Sequence, residues 1–171
     1  GGLNAMIVDS TALPEAAVRD IINGAFRSAG QRCSALRCLY VQEDVADKLL
    51  DMLQGAMDAL VFFERLELRP SRSLLVEIVP RLPSKVSSTA VGCFLEEDGR
   101  ILVLTFSGFA KNERWFNVPI DKSMYRSLVT HEVAHAIADC NFAIPDPTIQ
   151  AKEYIAYVVT FAMMEPELRR H

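Results

Sequence analysis

Residues 122–139 read KSMYRSLVTHEVAHAIAD, and this stretch decides how the rest of the chain is read. Met124, Leu128, Val129, Ala136 and Ile137 recur at helical spacing, so an amphipathic helix is expected from Lys122 to Asp139. His131-Glu132-Val133-Ala134-His135 lies inside it as an H-E-x-x-H motif. Residues four apart share one helical face, so both imidazoles can reach one tetrahedral Zn²⁺, while Glu132 stands beside the metal to take a proton from its water. Only three histidines occur in the whole chain, and two of them hold this spacing.

A catalytic zinc takes a third protein ligand and leaves one position open. Downstream, a turn at Asn141–Pro147 precedes a last helix expected over Thr148–Met164, with Asp146-Pro147 as its cap and first-turn pair. Glu153, early in that helix, is the expected third ligand, with Ala156 and Tyr157 on its face. Other donors fit less well: Asp139 suits the helix end, Asp146 the cap, Cys140 a buried thiol, and His171 a terminus. Tyr125, Tyr154 and Tyr157 are all candidate oxyanion donors that the sequence does not separate, Tyr157 being the one that would flank Glu153. Phe106, Phe109, Trp115, Phe116 and the Met163-Met164 pair read as core or groove wall.

Upstream the pattern alternates. A strand over Leu3–Val8, a helix from Pro14 ending at Gly30, a strand over Leu36–Val41 and a helix from Val45 give β-α-β-α. Beyond about Leu60 come strands over Leu74–Val79, Ala90–Leu95 and Ile101–Phe106, the last two flanking Glu97-Asp98-Gly99-Arg100 as an antiparallel hairpin. The fold class is therefore α+β, divided into residues 1–60 and 61–171. The helix Val45–Phe63 is expected to serve both parts, packing behind the C-terminal sheet.

The 171 residues carry 18 basic and 22 acidic side chains, a net charge of -4, with 50% hydrophobic residues. That composition suits one core, or two small ones, and offers no clustered cation for nucleic acid or an anionic membrane. The longest apolar stretch, Tyr154–Met164, falls short of the ~20 residues that a bilayer demands. Four scattered cysteines without a C-x-x-C pair point to free thiols in a reducing, cytoplasmic setting. Oligomeric state is not legible. The start at Gly1-Gly2, without Met, implies trimming or a longer frame.

Two resemblances add to this. GGLNAMIVDSTALPE with SAGQRCSALRCLYVQEDVADKLL, over residues 1–60, resembles the aldehyde dehydrogenase (pyrroline-5-carboxylate dehydrogenase) module of proline utilization A. The resemblance implies a nucleophilic role for Cys33. The family's general-base Glu and its dinucleotide-binding domain correspond to positions before Gly1, and no G-x-G-x-x-G occurs to hold NAD. No cofactor-binding residues are therefore assigned, and the segment is expected to be scaffold with Cys33 a vestigial nucleophile.

HEVAHAIAD and KEYIAYVV, over about Leu74–Met164, resemble the gluzincin branch of zinc metallopeptidases and small bacterial zincin-like proteins. This implies a zincin-like domain with His131, His135 and Glu153 on zinc and Glu132 as general base. A peptide or protein substrate would lie along the strand Ile101–Phe106. The alternatives are a non-catalytic zincin-shaped binding domain and an inactive fragment of an NAD-dependent aldehyde dehydrogenase.

Overall fold

The computed structural model describes residues 4–26, 34–72, 74–87 and 89–170. β1 (Ala5–Val8), α1 (Pro14–Phe26) and β2 (Cys38–Val41) form a small unit in which the two strands pair in parallel, Ala5 opposite Cys38. α2 (Glu43–Glu64) follows, with Glu43 and Asp44 in its first turn, where carboxylates favour the positive end of the helix dipole. Gly30 and Cys33 lie outside the described residues.

The second sheet contains β3 (Leu75–Val79), β4 (Gly92–Leu95) and β5 (Arg100–Leu104), in the order β3-β5-β4. β4 and β5 form the expected antiparallel hairpin, with Gly99 at φ 71 in its turn, where glycine adopts a left-handed conformation freely. β3, however, lies parallel to β5, so the sheet is mixed. β5 is consequently bonded on both sides, and Ile101, Leu102 and Val103 are all buried. A substrate cannot add to the Ile101–Phe106 segment as expected. Its last residue instead begins the short helix α3 (Phe106–Phe109), capped by the Thr105 hydroxyl accepting from Gly108 N–H. Among the described residues β4, which touches α4, has its outer side unpaired.

A hairpin of β6 (Arg114–Trp115) and β7 (Val118–Pro119) precedes α4 (Lys122–Asp139), whose limits are those read from the sequence. The Asp121 carboxylate accepts from Met124 N–H and fixes its start. α4 is buried around most of its circumference, because β4 and β5 cover one side while α2 and α5 (Ile149–Met163) cover the other. α2 thus packs against α4, not behind the sheet. Its Gly55 makes the approach possible: a Cβ there would lie 2.5 Å from the Arg126 carbonyl oxygen and 2.8 Å from Val129 Cβ. Two polar links cross the same seam. The buried Asp58 carboxylate accepts from Arg126 Nε at 2.6 Å and Nη2 at 3.0 Å, and Thr130 Oγ1 donates to the Gly55 carbonyl at 3.0 Å.

α5 is not capped by Asp146. That residue sits at φ 51, in left-handed backbone, whereas an N-cap needs extended backbone; Thr148 has it, and its hydroxyl accepts from Ala151 N–H at 3.2 Å. Among the described residues, no helix is long and apolar enough to cross a membrane.

Candidate metal centre

Two helices build the site. On α4, His131 and His135 project one turn apart, and their Nε2 atoms stand 3.1 Å from each other. Glu153, one turn into α5, closes the triangle from across the helix pair, with Oε2 3.4 Å from His131 Nε2 and Oε1 3.4 Å from His135 Nε2. Ligand atoms held about 2.0–2.1 Å from a tetrahedral zinc are separated by ~3.3 Å; the two imidazole nitrogens stand near that spacing, each facing a different oxygen of the Glu153 carboxylate, and one ligand atom from each of the three residues lies within 4.8 Å of the others. Among the described residues this trio can hold a metal ion.

The donors are in the protonation state that a metal needs. Burial, with His135 alongside, holds His131 down to about 3, and burial together with Lys152 holds His135 down to about 4. Both rings are neutral at pH 7. Thr160 Oγ1, fully buried on α5, donates its one proton to the Ala156 carbonyl at 2.7 Å and lies 3.3 Å from His131 Nδ1. With its proton committed, the hydroxyl can only accept, so Nδ1 carries the ring hydrogen and the Nε2 lone pair faces the triangle. Thr160 carries no signal in the sequence, since a helical threonine says nothing until its helix is docked.

Glu132 points to the sheet side of α4. It is buried against β4, where a Cβ on Gly92 would come within 2.4 Å of Glu132 Cδ; glycine at 92 makes room for the carboxyl. Burial, then the neighbouring Glu153 charge, raises Glu132 to about 8. Burial also raises Glu153. A carboxyl with this displacement, next to two neutral histidines, is suited to exchanging protons near neutral pH.

The three tyrosines separate clearly. Tyr157 lies with its ring 4.6 Å from that of His131, and burial, then Glu153 and Glu132, raises its hydroxyl above the usual range. Tyr125 donates to the Leu104 carbonyl at 2.9 Å, and Tyr154 is 71% exposed on another face. The remaining donors lie elsewhere. Asp139 pairs with Arg72 at 2.9 Å and Lys152 at 3.9 Å, and Cys140 caps the end of α4. His171, like Cys33, lies outside the described residues.

Comparison with known proteins divides the chain unevenly. Residues 1–69 match the aldehyde dehydrogenase family. Over 57 residues the chain is 67% identical to "Bifunctional protein PutA" of Klebsiella aerogenes and 63% identical to that of Escherichia coli (strain K12), in each case 33% of this chain and 4% of the relative. It is 41% identical over 59 residues to "4,4'-diapolycopene-4,4'-dial dehydrogenase" of Cytobacillus firmus, covering 34% of this chain and 13% of that protein. The chain thus spans a small fraction of the curated relatives it matches. No solved structure matches it significantly. His131, His135 and Glu153 all fall outside the dehydrogenase match and inside a second one: residues 40–171 fit a family of unknown function, DUF6639, and the chain belongs to that family.

Proposed function

We propose that the C-terminal part of this chain is a zincin-like, zinc-dependent hydrolase acting on peptide bonds. The observation that carries the reading is the triangle of His131 Nε2, His135 Nε2 and a Glu153 carboxylate with edges of 3.1, 3.4 and 3.4 Å. These three residues would hold the ion, which when bound acidifies a coordinated water and polarises a carbonyl. Glu132 would take the proton from that water and pass it to the leaving amine. Tyr157, whose ring lies 4.6 Å from that of the proposed ligand His131, would supply a hydroxyl to stabilise developing negative charge. The free edge of β4 offers backbone groups to an extended peptide along the side of α4 that carries Glu132.

The test is zinc stoichiometry by plasma mass spectrometry in the wild type, His131→Ala and Glu153→Ala, together with cleavage of a mixed peptide library by the wild type and Glu132→Gln. One zinc per chain, lost in the ligand variants, with cleavage lost in Glu132→Gln, is expected. Substoichiometric zinc in the wild type refutes the metal reading. Zinc without cleavage favours a non-catalytic, metal-stabilised binding domain.

A second reading rests on the 67% identity between the N-terminal 57 residues and a bifunctional PutA. It takes the segment as an inactive fragment of an NAD-dependent aldehyde dehydrogenase, with Cys33 a vestigial nucleophile. No calorimetric NAD binding and no thiol-dependent aldehyde oxidation are expected of it, and either one, lost in Cys33→Ser, would overturn the inactive-fragment reading.

A further inference from the structure

The helical stripe that supplies Glu153 continues at one-turn intervals into Tyr157 and Phe161. Their rings lie 6.2 Å apart and close to parallel, at 27°. Phe116, from the loop between β6 and β7, faces both, at 5.6 Å from Tyr157 and 5.5 Å from Phe161. Trp115 backs it at 4.5 Å and stands edge-on to His131 at 6.1 Å.

Phe116 occupies this place against its backbone preference. Trp115 pairs with Val118, so Phe116 and Asn117 form a two-residue hairpin loop, with φ of 52° and 64°. Glycine and asparagine dominate such positions, and a bulky side chain there is an outlier. The Arg114 guanidinium donates to the Asn117 carbonyl and clamps the turn. An aromatic ring that served only as an anchor would be buried in return for that strain. Phe116 and Phe161 are instead each 42% exposed, beside a residue of the metal centre.

We propose that Phe116, Tyr157 and Phe161 form a subsite that receives an aromatic or large apolar side chain of the molecule bound at the metal. The inference rests on the zinc centre proposed above but not on hydrolysis. It assigns substrate class: peptides with an aromatic residue adjacent to the group that meets the metal.

Trp115 is the chain's single tryptophan and stacks on the subsite, so its fluorescence reports binding directly. The zinc-loaded protein is titrated with phenylalanine hydroxamate and with glycine hydroxamate, in the wild type, Phe116→Gly and Phe161→Ala. Phe116→Gly removes the ring while giving the turn the residue it favours, which guards against misfolding. The phenylalanine compound is expected to bind about tenfold tighter to the wild type, with the ratio falling toward one in both variants at unchanged zinc stoichiometry. Equal affinities in the wild type, or a ratio that survives both substitutions, overturn the subsite. Absence of bound zinc overturns the metal centre and the subsite with it. Discrimination retained without cleavage of any library peptide defeats hydrolysis alone and supports the subsite.

Discussion

Thr160→Val should weaken zinc binding without unfolding the protein. The substitution keeps the shape and removes the one oxygen that lies 3.3 Å from His131 Nδ1. The loss is asymmetric between the two states. In the metal-free protein the His131 ring can move its proton to Nε2 and donate toward the Glu153 carboxylate, 3.4 Å away. With zinc on Nε2, the proton must stay on Nδ1, in a side chain that is only 6% exposed and has lost its acceptor. A buried donor left unsatisfied costs about 1–3 kcal/mol, so the bound state carries a penalty that the free state escapes. Affinity should fall about 10–100-fold, the usual effect of removing the partner of a metal-bound histidine. Competition with a chromophoric chelator at pH 7.5 measures this, and urea denaturation in EDTA checks the fold. Thr160→Ser restores the hydroxyl and should recover most of the affinity. Zinc binding by Thr160→Val within twofold of wild type would refute the reasoning, as would a serine variant no better than valine.

Three further outcomes follow from the same geometry. Gly92→Ala would force a Cβ to within 2.4 Å of the Glu132 carboxyl, so a loss of about 1–3 kcal/mol in denaturant unfolding is expected, with cleavage falling alongside it. Arg126→Ala leaves the buried Asp58 carboxylate without its bidentate partner and should cost about 3–5 kcal/mol, whereas replacing both residues by apolar ones should cost less, as paired denaturation curves would show. Metal-free stability should peak near pH 6.5. Below it the unfolded chain protonates histidines that the fold holds neutral to about 4 and 3, so stability falls with pH. Above it the fold retains a Glu132 proton, to about 8, that the unfolded chain has lost, so stability falls as pH rises; denaturation in EDTA at pH 5, 6.5 and 8 tests both limbs.

What could be read from the sequence was local. α4 has its predicted limits because apolar spacing and a capping aspartate both mark them, and the β4–β5 hairpin follows from a glycine turn. That Glu153 lies beside the two histidines was legible because a carboxylate one turn into the next helix needs only a short connection to return. The parallel pairing of β3 with β5 was not, since turn residues report on neighbours in sequence and these strands are joined through β4. Thr160 and Gly92 acquire their roles only when α5 docks on His131 and β4 on Glu132. Phe116 reads from the sequence as core or groove wall, but its tight turn does not, because Phe-Asn lacks the glycine that advertises one.

The two family matches overlap over residues 40–69, and the overlap contains the whole of α2. This helix is where the dehydrogenase-like segment and the candidate metal centre become one structure. A boundary at residue 60 falls inside it. Gly55 admits the α4 backbone, Asp58 holds Arg126, and the Gly55 carbonyl receives Thr130, the residue immediately before His131. The side of α4 away from the sheet is therefore buried by α5 together with a helix that both families claim. Whatever chemistry the N-terminal segment performs in its relatives, its last helix here has a separate duty: it fixes the axial position of α4, and with it the height at which His131 and His135 meet Glu153.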